Sequence, residues 1–114
     1  MSSKQTKIPD IKIGYQSVSV QIISDEHDRK LDDVDGYYQR KNAKICVNID
    51  QCVQEQTAAL WHECLHAAFY TYGMCEVITD KEREEYIVNT LANALLQVLK
   101  DNPHLVKMIT YNGK

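Results

Sequence analysis

Two histidines four residues apart with a glutamate between them, His62-Glu63-Cys64-Leu65-His66, are the residues of this 114-residue chain best suited to chemistry. In a helix the i, i+4 spacing stacks His62 and His66 one turn apart on a single face, where both imidazoles can address one metal ion. Glu63 flanks that face, placed to take a proton from a metal-activated water without binding the metal itself. A histidine pair one turn apart can also be a plain surface feature. Three things weigh against that here. The pentapeptide falls within a helical stretch, its apolar neighbours Ala58, Leu60, Trp61, Leu65, Ala67, Ala68 and Phe69 would bury it, and a buried carboxylate needs a partner.

Two imidazoles leave a tetrahedral zinc ion short of a ligand, since catalytic sites use three protein ligands and keep one position open. The pattern H-E-x-x-H-x-x-G-x-x-H would need Gly at 69 and His at 72, where this chain has Phe69 and Tyr72, so that class is excluded. The alternative is a glutamate facing inward from a second amphipathic helix, and Glu82, Glu84 and Glu85 open such a segment. Helical steps from Glu85 reach Asn89, Ala92 and Leu96, a stripe that turns from polar to apolar along one face. Glu84 leads to Val88 and Leu91, also an inward face, so spacing alone prefers Glu85 without forcing it. Glu82 is better used locally, in a Thr79-Asp80-Lys81-Glu82 capping box with Thr79 as the cap.

The pairing of His62-Glu63-Cys64-Leu65-His66 with Glu85-Tyr86-Ile87-Val88-Asn89-Thr90-Leu91-Ala92 resembles the ImmA/IrrE type of small zinc peptidase, found widely in phages and mobile elements. In that family the first motif is followed by a helix reading roughly E-x-x-A-N-x-F-A. Here Val88 stands for its Ala and Leu91 for its Phe, both conservative departures. The likeness spans roughly residues 34 to 103; its pentapeptide is specific to zincins as a whole, and its second motif is weaker. It implies one Zn²⁺ per chain on His62, His66 and Glu85, with Glu63 as the base. It also implies that Asn89 accepts the free N–H of a ligand histidine and so fixes its tautomer. The implied fold is α+β: a minimal zincin-like domain with a small antiparallel sheet of about three strands, packed on the motif helix and a second long helix.

Zinc in such a site lowers the pKa of water from about 16 to about 7. Glu63 would take the proton and hand it to a leaving amine, giving metallopeptidase action on a protein or peptide substrate, which the resemblance implies is a regulator. An oxyanion donor is usual, and Tyr37, Tyr38, Tyr70, Tyr72 and Tyr111 are all candidates. The rival from another class is a catalytically silent zinc-binding interaction module, but a structural site has no use for an intact Glu63. A nucleobase deaminase needs H-x-E with P-C-x-x-C, which is absent.

The rest of the chain narrows the setting. A length of 114 residues with 44% hydrophobic content suits one domain with a modest core. Net charge is -3 and no basic stripe occurs, so no nucleic-acid partner is expected. No apolar h-region or membrane span is apparent, which points to a cytoplasmic protein with no membrane association, in a host cytoplasm if phage-encoded. Cys46, Cys52, Cys64 and Cys75 form no C-x-x-C pair and read as free thiols. His27 and His104 read as surface histidines.

The elements that must position the motif follow from periodicity. Residues 1–10 are polar and expected to be flexible. Alternation from Tyr15 to Ile23 predicts a half-buried strand. Ser24 to Asp35 carries six acidic residues and reads as a solvated loop, without the ligand spacing of a calcium loop. Gly36 to Asp50 reads as a hairpin turning near Lys41-Asn42-Ala43, and by likeness its strand beside the metal would hold extended substrate by backbone pairing. Helices are expected at about 53–72, ending at Gly73, at 80–100, and in a short segment 104–111 after Pro103.

Overall fold

The computed structural model describes residues 5–111, with four strands and three helices in the order β1 (Gln5–Ile13), β2 (Gln16–Ile23), β3 (Gly36–Gln39), β4 (Lys44–Asn48), α1 (Val53–Thr71), α2 (Lys81–Asp101) and α3 (Pro103–Tyr111). The strands form one mixed sheet in the order β1-β2-β4-β3. β1 pairs antiparallel with β2, β2 parallel with β4, and β4 antiparallel with β3. The fold is thus α+β as expected, but its sheet has four strands and is not purely antiparallel.

The extra strand is β1, so residues 5–10, expected to be flexible, belong to the sheet; residues 1–4 lie outside the described residues. Pro9 disguises it. Proline donates no ladder hydrogen bond, and the register between β1 and β2 shifts between Ile8 and Ile11, a bulge that an edge strand tolerates. The parallel pair arises because the chain leaves β2 through an acidic segment and returns as the β3–β4 hairpin, a connection long enough to run back along the sheet. That segment is not merely solvated. It contains a 3₁₀ turn at Arg29–Leu31, and Leu31 is fully buried beside Ile23 and Cys46.

Strand alternation divides these side chains between two faces. Val18, Val20, Ile45 and Val47 meet α1 through Ala59 and Ala67, whose small side chains let the helix lie close to the sheet. Leu60, Cys64 and Ala68 pack around this core, so Cys64 behaves as a small hydrophobe and its thiol is pushed up to about 11 by burial. The four cysteines are free.

α1 ends at Thr71, and Gly73 follows with φ 86°, the left-handed conformation that glycine adopts without a Cβ penalty. α2 is capped by Asp80, whose side chain accepts from the Glu82 N–H at 3.1 Å, so Thr79 is not the cap, and with Arg83 three residues on the expected box is replaced by a simple cap. α2 buries only Val88 and Ala92, and the indole N–H of Trp61 donates to the Ala92 carbonyl at 3.0 Å. Among the described residues no helix is long and apolar enough to cross a membrane.

Candidate metal centre

α1 presents His62 and His66 on one face with ring centroids 4.8 Å apart and ring planes inclined by 69°. Both rings are mostly shielded, and the N-terminal end of α2 is laid across them. From there Glu85 reaches both imidazoles at once: Oε1 lies 3.5 Å from His62 Nε2, and Oε2 lies 3.1 Å from His66 Nε2. One ligand atom from each of His62, His66 and Glu85 falls within 4.8 Å of the others. The three residues expected to converge do so, and the triad could bind a metal ion.

Adjacent residues in a helix point about 100° apart, so Glu84 approaches the same ring from another side. Its Oε2 is 2.8 Å from His66 Nδ1. Glu84 and Glu85 are therefore not rivals, because each serves a different nitrogen of His66. Donation of Nδ1–H to Glu84 leaves the lone pair on Nε2, facing a Glu85 oxygen 3.1 Å away. A lone pair against a carboxylate oxygen repels unless a proton on Nε2 or a metal ion lies between them. The bond lengths of tetrahedral zinc set its ligand atoms about 3.3 Å apart; the two carboxylate-to-imidazole distances, 3.1 and 3.5 Å to different Glu85 oxygens, lie near that value, and the whole triad falls within 4.8 Å. The donor set and its spacing fit a small divalent ion.

Sequence reasoning weighs Glu84 only as an alternative third ligand and misses its place at His66 Nδ1, although a signal existed: a ligand histidine needs an acceptor at its other nitrogen. The role that resemblance gave to Asn89 is taken at His66 by Glu84. Asn89 sits one turn beyond Glu85 in the cleft that also holds His62 and Glu63, and among the described residues it makes no hydrogen bond to either histidine.

Glu63 lies between β3 and the triad, with its Cγ 3.7 Å from where a Cβ on Gly36 would stand. Burial pushes its carboxyl up to about 7; the neighbouring His66 opposes that rise and Glu85 adds to it. His62 is held below the ordinary histidine value, by burial first and by His66 second, against the pull of Glu85. A low proton affinity favours the neutral imidazole that a metal requires.

Two clefts of about 460 and 490 Å³ flank the centre and share Gly36 and Glu63. The first runs past Tyr38, Arg40, His66, Tyr70, Lys81 and Glu84. Of the five tyrosines considered as oxyanion donors, Tyr37 gives its hydroxyl to Asp28 and Tyr38 to Gln16, while Tyr72 and Tyr111 are exposed and line neither cleft. Tyr70 remains, one turn beyond His66 and lining the first cleft, with no hydroxyl partner among the described residues. His27 is used locally, its Nδ1 3.1 Å from the Ser24 hydroxyl.

No protein-family model, curated protein or solved structure matches this chain. The chemistry of the centre rests on its own residues and their geometry.

Proposed function

We propose that the chain is a zinc-dependent metallopeptidase of the small ImmA/IrrE-like kind, with a zincin-like arrangement of helix and edge strand, hydrolysing a peptide bond of a protein substrate. One observation carries the reading: two imidazoles and one carboxylate converge, with a ligand atom of each within 4.8 Å of the others, beside a glutamate whose carboxyl is pushed up to about 7. His62, His66 and Glu85 would hold the ion, which when bound supplies Lewis acidity toward water and a scissile carbonyl.

The remaining work falls to the chain's own groups. A carboxyl with a pKa near 7 both accepts and releases a proton at neutral pH, so Glu63 takes the proton of the attacking water and returns it to the departing amine. Glu84 holds His66 in one tautomer by accepting its Nδ1–H. Tyr70 offers the hydroxyl for negative charge that develops on the carbonyl oxygen. β3 is one of the two outer strands of the sheet and lines the first cleft, so its free edge can pair with an extended peptide and bring a bond past Glu63.

The test compares the native chain with Glu63→Gln, both zinc-loaded, on unfolded casein. Equal zinc content with hydrolysis lowered by a factor of about 10² to 10⁴ is expected. A native chain that binds zinc and cleaves nothing, while retaining a partner regardless of Glu63, would make it a silent binding module.

A further inference from the structure

The first cleft contains two cations that the metal centre does not use. Arg40 follows β3, and its guanidinium carbon lies 4.7 Å from the ring centroid of Tyr70. Lys81 opens α2 on the other side of the same cleft. The cleft's three carboxylates belong elsewhere: Glu84 and Glu85 grip the histidines, and Glu63, shared with the opposite cleft, lies against Gly36. Among the described residues neither Arg40 nor Lys81 has a carboxylate partner; the ion pairs of arginine join Arg29 to Asp32 and Arg83 to Asp80. Stacking on an aromatic face steadies a guanidinium while leaving its edge N–H groups free for a bidentate acceptor.

Resting on the peptidase reading above, we propose that this cleft is a subsite for an acidic side chain of the substrate. An Asp or Glu a residue or two from the scissile bond would be held between Arg40 and Lys81 while its backbone pairs with β3. A cleft of about 460 Å³ has room for such a side chain and its neighbours. The opposite cleft excludes the same group, because it is lined by Asp33, Asp35 and Glu55 and by no cation. The groove therefore has polarity: a peptide with its carboxylate on the Arg40 side is accepted, and one with the carboxylate on the other side of the bond is repelled.

The test is a binding measurement on zinc-loaded Glu63→Gln, so that it reads recognition whether or not the native chain hydrolyses anything. Alanine-rich heptapeptides carrying a single Glu, Gln or Lys are titrated while the Arg40 side-chain and Tyr38 backbone N–H signals are followed by NMR. The Glu peptide is expected to bind roughly five-fold more tightly than the Gln peptide, as an exposed ion pair supplies. That preference should shrink at high salt, vanish in Arg40→Gln and pass to the Lys peptide in Arg40→Glu. Equal affinity for Glu and Gln peptides, a Glu preference that survives both Arg40→Gln and Lys81→Gln, or no binding of any peptide at millimolar concentration overturns the subsite. Hydrolysis of casein by the native chain in any of those cases leaves the peptidase reading standing.

Discussion

Glu63 is held in a place that disfavours its charge, and without metal that cost should be visible in folding stability. Its carboxyl rises from 4.5 in the unfolded chain to about 7 in the fold, chiefly through burial. Below pH 4.5 the group is protonated in both states and imposes no penalty. As pH climbs, the unfolded chain ionises first, so stability drains away until the folded carboxyl ionises as well near pH 7, and it stays lower above that. At about 1.4 kcal/mol for each tenfold in proton affinity, the loss across this window is roughly 3 kcal/mol. Glu63→Gln keeps the shape and removes the titration. In EDTA the variant should equal or trail the native chain at pH 4.5 and exceed it at pH 8, the difference between the two changing by that amount. For a chain of this size the relative shift in Tm is roughly 10 °C. Thermal unfolding of both proteins across pH 4.5 to 8 measures it. Parallel curves would refute the reasoning, since they would mean that the Glu63 environment does not resist charge. Added zinc should bring the curves together, because a nearby divalent charge favours the ionised carboxylate.

Other expectations concern the centre and its support. Glu85→Ala should abolish stoichiometric zinc binding, whereas Glu84→Ala should weaken it by about 10- to 100-fold; metal analysis after dialysis against graded chelator separates the two, and the reverse order would exchange their roles. Gly36→Ala places a Cβ 2.8 Å from the Cys46 carbonyl oxygen, so β3 must shift off β4 at a cost of about 1–3 kcal/mol in urea unfolding. Ala43 closes the β3–β4 turn at φ 50°, and Ala43→Gly should stabilise the chain by about 0.5–1 kcal/mol, since relief of left-handed strain exceeds the added entropy of the unfolded state.

The helices were legible because helical periodicity is local. Val53–Thr71 and Lys81–Asp101 lie within a residue of their expected limits, and the β3–β4 hairpin sits where Lys41-Asn42-Ala43 suggested a turn. β1 was hidden because Pro9 breaks its alternation, and the support it gains comes from β2 rather than from its own residues. The parallel pairing of β2 with β4 was invisible for the same reason, since strand neighbours are chosen by burial of a whole face. At the centre, the histidine pair and Glu85 could be read from spacing and likeness. Glu84 could not be told from a competitor until α2 was laid across α1, because only that crossing decides which nitrogen each adjacent carboxylate meets. The displaced cap is a smaller instance: Thr79 and Asp80 are both good caps, and the choice depends on where tertiary contacts fix the first turn.

The grip of Glu84 and Glu85 on opposite edges of one imidazole also fastens the two long helices together. α2 contributes little greasy surface of its own, with Val88 and Ala92 alone fully covered, so its seating leans on the Trp61 tether and on this ionic clasp. A cation at the centre would act as the rivet of that clasp. Stripping it should then loosen a whole helix, raising amide exchange along 81–101 far from any bond-breaking step, while the sheet beneath stays shut.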